Sequence, residues 1–205
     1  MEKNRDSDFS ASLPSYHIPP RKVKSTDWKK ETIDWIKALV VAGLLVVVVR
    51  MFLFSPYLVD GNSMQPNFHP GERVIVNKIL YELRSPERGE VIVFHSPYQN
   101  DYIKRIIGLP GETIEVRGDA VFINGNLLNE PYLKSEINAA VAEGEFYNNK
   151  DYSTTKIPAG QIFVMGDNRS NSHDSRDIGF ISYDQIVGRA DLIIWPLSEF
   201  QYISH

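Results

Sequence analysis

The sequence contains no cysteine, which excludes a disulfide framework, a thiol nucleophile and any cysteine-ligated zinc. It also lacks a His-Glu-x-x-His pair, a phosphate-binding glycine loop and a dinucleotide fingerprint, so three common enzyme chemistries have no carrier here. No internal repeat or low-complexity tract is present. Positive charge is scarce over most of the chain: residues 51–205 hold thirteen Lys/Arg against twenty Asp/Glu, a net of −7. A domain that acidic cannot bind nucleic acid by neutralising phosphates, and nucleic acid is not an expected partner. At 42% hydrophobic and 23% charged, the chain is neither disordered nor collagenous.

What is there begins with a polar stretch. Residues 1–24 carry Pro14, Pro19 and Pro20 without an apolar period and read as a flexible tail. Ser25, Thr26 and Asp27 then offer N-cap side chains, and residues 28–37 mix charges with Trp28 and Trp35, as at a membrane interface. An unbroken apolar run follows at 38–49 and continues through 51–54 after Arg50. These seventeen positions give roughly 25 Å of helix, the short end of a membrane span. Bulky residues after Arg50, rather than a small-residue exit, predict an uncleaved anchor over a cleaved signal peptide. Arg50 itself is expected to reach the outer interface. Lys29, Lys30 and Lys37 precede the span, and residues 1–37 carry a net of +2, which puts the N-terminus in the cytoplasm and everything after Phe54 outside. The expected organisation is a cytoplasmic tail at 1–27, an interfacial and transmembrane helix at 28–55, and an extracytoplasmic domain at 56–205.

That domain reads as β-structure. Short β-branched runs bounded by Gly or Pro occur at 73–78, 90–95 and 102–107. Segments 112–116 and 120–123 flank Arg117-Gly118-Asp119 as a hairpin, and Asn124-Gly125-Asn126 turns the chain again. From 127 to 158 the periodicity fades, apart from a short helix at 136–141, predicting a smaller, variable lobe inserted between two core strands. Strands at 161–165, 186–190 and 191–195 close the sheet. The fold class is mainly β: an antiparallel catalytic domain with a small inserted lobe, tethered by one N-terminal helix.

Three stretches could carry chemistry. Asp60-Gly61-Asn62-Ser63-Met64-Gln65-Pro66 sets a serine in a Gly- and Pro-bounded turn. Lys104 lies in the apolar strand Tyr102-Ile103-Lys104-Arg105-Ile106-Ile107, where burial would disfavour its ammonium and make it a proton acceptor near neutral pH. Gly166-Asp167-Asn168-Arg169-Ser170-Asn171-Ser172-His173-Asp174-Ser175-Arg176 is a dense polar loop; taken by itself, Gly-Asp-Asn is turn chemistry. Arg105 stays charged and is expected to pair with a carboxylate, Asp174.

Together these stretches resemble the bacterial type I signal peptidases, membrane-anchored Ser/Lys proteases, from about Lys37 to Ala190. Ser-Met-Gln-Pro matches the family's nucleophile motif, Tyr-Ile-Lys-Arg with Gly-Leu-Pro-Gly-Glu its base motif, and the 166–176 loop its third. The resemblance implies Ser63 as nucleophile and Lys104 as general base. Ser172 then orients Lys104 through a hydrogen bond, with Asp167, Arg169, Asp174 and Arg176 as a supporting ionic network. The Ser63 N–H is one oxyanion donor. Where some relatives place a donating serine this chain has Gly61, so the second donor is a backbone group or the hole is weaker. Asn67 and Phe68 stand where Thr and Leu are usual, which bears on the pocket's shape. The substrate would lie as an extended strand between Tyr57–Asn62 and Asp101–Ile103. Small residues at the first and third positions before the cut would be read by Val59, Met64, Phe68, Tyr102 and Ile103. The implied partners are signal-peptide-bearing preproteins, membrane lipid and the secretion translocon, with no metal or cofactor. Phe52, Phe54, Tyr57, Trp195, Leu197 and Phe200 are candidates for a lipid-resting surface.

Rival readings have less support. His69, His95 or His173 with Asp174 permit a Ser-His-Asp triad on paper, but nothing in their spacing favours it. Ser153-Thr154-Thr155-Lys156 fits a Ser-x-x-Lys pattern that belongs at a helix start, whereas Ile157-Pro158 follows at once. A tethered β-domain that binds exported chains without cutting them is the alternative from another class. The orientation is testable directly: protease added outside intact spheroplasts is expected to digest residues 56–205 and spare the first 30 or so, and a protected β-domain would refute it.

Overall fold

The computed structural model describes residues 28–204. The tail assigned to 1–27 and the side chain of Arg50 lie outside the described residues. The chain divides into two units, Met1–Ala42 and Gly43–His205, the boundary falling within helix α1 (Trp28–Phe52). The most apolar 18-residue window within Trp28–Val49 has a mean hydropathy of 2.2, and none of that window is buried among the described residues. Leu39 and Leu44, 70% and 64% exposed, meet no protein. An apolar helix left bare on all sides suits hydrocarbon as its solvent. It is longer than the seventeen-residue apolar run because the Trp28–Lys37 stretch continues it, and it stops at Phe52. Strand β1 (Phe54–Leu58) begins inside the stretch assigned to the anchor.

The second unit is built from two antiparallel sheets. After β1 the chain forms β2 (Arg73–Asn77), a four-residue helical turn α2 (Leu80–Leu83), β3 (Val91–His95) and β4 (Asp101–Gly108). The small sheet follows: β5 (Thr113–Arg117), β6 (Ala120–Ile123), β7 (Asn126–Leu127), helix α3 (Lys134–Glu143) and β8 (Tyr152–Lys156). The chain then returns with β9 (Gln161–Met165), turn α4 (Ser175–Ile178), β10 (Ile181–Ser182), β11 (Ile186–Trp195) and β12 (Gln201–Tyr202). The large sheet runs β1-β2-β11-β3-β4-β9-β10 with β12 on β11, and the small one β7-β6-β5-β8.

Period-two patterning explains the packing. On β3, Val91 and Val93 enter one core cluster with Val59, Met64, Phe68, Val74 and Val76, while Ile92 and Phe94 enter another with Ile106, Ile162 and Val164. The strand is therefore apolar at four successive positions, all buried, because both faces of the sheet are covered there. Ile114, Val116, Val121 and Ile123 of the small sheet pack on Ile107, Phe163 and Met165, forming the third cluster. Each such side chain contributes roughly 1.5–3 kcal/mol through burial.

Two features differ from the sequence reading. The 127–158 stretch is not a lobe apart: β8 pairs with β5, so the inserted sheet starts at Thr113 and needs both ends of the insertion. Within it the expected helix at 136–141 is α3, capped by Gly144 at φ 78°. The segments 186–190 and 191–195 form one ten-residue strand, β11, which lies between β2 and β3 rather than at the rim. Gly188 permits this. An added Cβ there would overlap the Asn77 carbonyl of β2, and β11, held by β3 on its other side, has no room to back away.

Candidate active site

Ser63 follows β1 in a tight turn. Gly61 adopts a φ of +88°, a left-handed conformation that a side chain disfavours. Gln65 N–H donates to the Asn62 carbonyl at 3.2 Å and Phe68 N–H to that of Met64 at 3.0 Å. Met64 and Phe68 are 1% and 2% exposed and plug the turn into the first core cluster. They lie beneath this turn rather than on the groove beside Ser63, and Phe68 borders a separate cavity with Asn67 and Arg105. No group among the described residues accepts from the Ser63 N–H, which leaves it available as an oxyanion donor. Gly61 has no side chain to add a second.

Lys104 is 4% exposed. Its Nζ lies 2.7 Å from Ser63 Oγ and donates to the Ile103 carbonyl at 2.9 Å. Burial pushes its pKa down to about 8, against the pull of Asp174 and Asp167 and with help from Arg176. A neutral amine at that distance can take the Ser63 hydroxyl proton on its lone pair. The two residues are 41 apart in sequence, on a turn and a strand that only the folded sheet brings together.

The 166–176 loop packs against this pair. Asn168 N–H donates to the Ser63 carbonyl at 3.0 Å and its Nδ2 to that of Asn62 at 3.1 Å. Gly166 sits between Ser63 and Ser172, where an added Cβ would overlap both the Ser63 carbonyl oxygen and Ser172 Oγ. The hydrogen bond from Ser172 to Lys104 is not formed. Ser172 Oγ is buried without a partner of ordinary geometry and faces Asp174, while Lys104 is held by Ser63 and Ile103 instead.

The ionic groups pair differently from the expectation as well. Arg105 binds Asp167, not Asp174, through Nε at 2.9 Å and Nη2 at 2.8 Å. Asp174 is taken by Arg176, with Nε and Nη2 both at 2.8 Å. Burial would raise the Asp174 carboxyl, but Arg176 and the Gly166 N–H outweigh it and hold it below its usual range. Arg169 pairs with Glu130, which sequence reasoning missed, as it did Tyr132 stacked 4.1 Å from the Arg105 guanidinium. Asn67 proves useful rather than aberrant: its Nδ2 donates to Asp167 Oδ2 at 2.9 Å and to the Tyr132 carbonyl at 3.3 Å.

Beside the pair opens a groove of about 230 Å³ lined by Tyr57, Leu58, Val59, Asp60 and Ser63 on one wall and Asp101, Tyr102, Ile103, Lys104 and His173 on the other, over Val74 and Val93. Val59, Tyr102 and Ile103 are among the residues that line this groove. Tyr57 belongs to the groove rather than to a lipid surface. Neither rival constellation assembles. His95 pairs with Asp101 at 2.6 Å and His173 with Asp177 at 3.3 Å, and Ser153 lies on strand β8. No group of described residues is arranged to hold a metal ion.

A buried amine against a serine hydroxyl, at the side of an apolar groove between two strand edges, is the equipment of a serine peptidase. The family model "Signal peptidase, peptidase S26" matches residues 32–195, and the chain belongs to that family. Signal peptidase IB of Staphylococcus aureus (strain MRSA252) is 40% identical over 183 residues, covering 85% of this chain and 95% of the relative. Signal peptidase I S of Bacillus subtilis (strain 168) is 40% identical over 179 residues, covering 87% and 97%. A signal peptidase I from Enterococcus faecalis V583, of known crystal structure, is 39% identical with a TM-score of 0.47 over 52% of this chain and 97% of its own. The protein is a serine peptidase of the signal peptidase I kind, which removes signal peptides from exported preproteins.

The depressed Lys104 pKa has a stability consequence. Between about 8 and the ordinary lysine value of 10.5 the unfolded chain binds more protons than the folded one, so Lys104 makes stability rise with pH across that window. Below it the full penalty for burying the ammonium is present, on the order of 3 kcal/mol. Lys104→Met removes the charge at similar volume. Its melting temperature is expected to exceed wild type at pH 7, with the gain shrinking towards pH 10; a gain that does not change with pH would refute the shift.

Proposed function

We propose that Ser63 and Lys104 are the catalytic dyad with which this signal peptidase cuts. The supporting observation is the 2.7 Å contact between Ser63 Oγ and a lysine only 4% exposed. Neutral Lys104 takes the Ser63 proton as Oγ attacks the scissile carbonyl. The resulting oxyanion is met by the Ser63 N–H and a second backbone donor near Gly61. Lys104 then delivers its proton to the leaving amine, giving the acyl-enzyme. In the second half it takes a proton from water as the hydroxide attacks the acyl carbon, then returns that proton to Ser63 Oγ as the ester bond breaks and frees the new carboxyl end. Ser172, Asp174 and Asp167 act from behind by fixing the loop that presses on Ser63.

The substrate lies as an added strand. Residues 101–104 of β4 pair only with β3 on one side, since pairing with β9 begins at Arg105, and β1 is the end strand of its sheet. Two open edges thus face one groove, and an extended peptide satisfies both. Small side chains fit because Val59, Val74, Val93 and Ile103 crowd the floor.

The N-terminal helix anchors the domain on the outer face of the bacterial cytoplasmic membrane, beside the translocon that delivers preproteins. Leu58, Trp195, Leu197 and Phe200 are 63%, 52%, 74% and 57% exposed, and Leu58 and Trp195 both neighbour Arg73 across the sheet. This apolar rim rests on lipid. Residues 56–205 alone are expected to cleave weakly and to be stimulated by lipid vesicles, and replacing Trp195, Leu197 and Phe200 together with Ser is expected to abolish that stimulation; unchanged stimulation would remove the rim's role.

For the dyad, Ser63→Ala and Lys104→Ala are expected to abolish cleavage of a labelled preprotein. Lys104→Arg fails too, since guanidinium stays protonated. Wild-type kcat/KM rises along a limb near pH 8. Near-normal turnover by Lys104→Arg would end the assignment.

A further inference from the structure

The groove is not uniform along its length. On β4, Ile103 packs into the first core cluster and Tyr102 into the cluster of Ile92 and Phe94 on the opposite face, so Ile103 and Asp101 share the floor side. On the facing wall Tyr57 and Val59 pack into that same first cluster. A floor-facing substrate side chain next to the dyad meets Val59 and Ile103. The next one, two residues further from the cut and roughly 6.6 Å away, meets Tyr57 and Asp101. There the lining changes from hydrocarbon to a phenol hydroxyl beside a carboxylate. His95 Nδ1 engages Asp101 Oδ1 at 2.6 Å, and among the described hydrogen bonds Oδ2 has no partner. Burial and the neighbouring Asp101 raise the Tyr57 phenol, which keeps its O–H a donor.

We infer that this outer end of the groove is a subsite for a small hydroxyl-bearing side chain, threonine or serine, at the third residue before the cut, read by Tyr57 and Asp101. A hydroxyl both donates and accepts, so it complements the Tyr57 O–H and the open Asp101 oxygen together. The branched walls at Val74 and Val93 limit its size. Valine matches threonine in shape but leaves Asp101 Oδ2 desolvated without a partner when the peptide covers it. His95 positions Asp101 from outside.

The inference rests on the groove being the substrate channel, and the experiment separates the two. Four peptides spanning a cleavage site, identical but for Ala, Val, Ser or Thr at the third position, are cut by the detergent-solubilised full chain. The Thr peptide is expected to exceed the Val peptide by about tenfold in kcat/KM. Tyr57→Phe reduces that ratio to about threefold and Asp101→Leu to unity or below, each variant normalised to its own Ala peptide. Equal rates for Thr and Val in the wild type overturn the subsite whether or not the variants fold, and so does a ratio unchanged in both variants. An Ala peptide left uncut by wild type, or cut by Ser63→Ala, overturns the channel reading and the subsite with it.

Discussion

Everything at this site depends on keeping one amine dry. A lysine in water is protonated until far above neutral pH and cannot accept a proton from serine. Lys104 is brought towards neutrality because β3, the 166–176 loop and the Ser63 turn enclose it, which costs stability whenever the ammonium form is present. The surrounding carboxylates, Asp174 and Asp167, pull the other way. Their own guanidinium partners temper that pull: Arg176 neutralises one and Arg105 the other. The ion pairs behind the dyad are therefore best understood as charge compensation. They allow acidic residues to shape a loop beside a base without restoring its proton.

Arg105 and Asp167 form the second organising contact. Arg105 follows the base in β4, Asp167 heads the polar loop, and Asn67 reaches Asp167 from the nucleophile turn. Arg105 also donates to the Gly89 carbonyl at 2.8 Å. One buried pair thus ties together the three segments that carry the chemistry. Such a pair, 4% and 0% exposed, adds little net stability, but removing either partner would leave a bare charge inside.

The elements that carry chemistry were legible because their signals are local: a serine between Gly and Pro, a lysine within an apolar strand, a loop dense in turn-forming polar residues. Strands β2 to β6 were legible from alternation and turn residues. The partners were not. Asp174 and Asp167 both lie in the same loop and both could meet Arg105; only the pleat of β4 and the course of the loop decide. Glu130 and Tyr132 sit in a stretch without periodicity, so nothing near them announces that they seal Arg169 and Arg105. Met64 and Phe68 pack under the Ser63 turn, a placement the sequence does not record because an apolar residue beside such a turn reads the same whether it faces the groove or the core. Ser172 was assigned by resemblance alone, and its contact depends on a rotamer that no sequence pattern records.

The place of β11 has a consequence for how the enzyme comes into being. It lies between β2 and β3, and the large sheet has no other strand joining the hairpin that presents Ser63 to the one that carries Lys104. A chain emerging from the ribosome holds Ser63 and Lys104 in separate pieces until residues 186–195 arrive to bridge them. Long-range pairing of this kind forms late. The meeting of Ser63 and Lys104 is therefore postponed until nearly the whole domain is present, a built-in delay before the groove itself can exist.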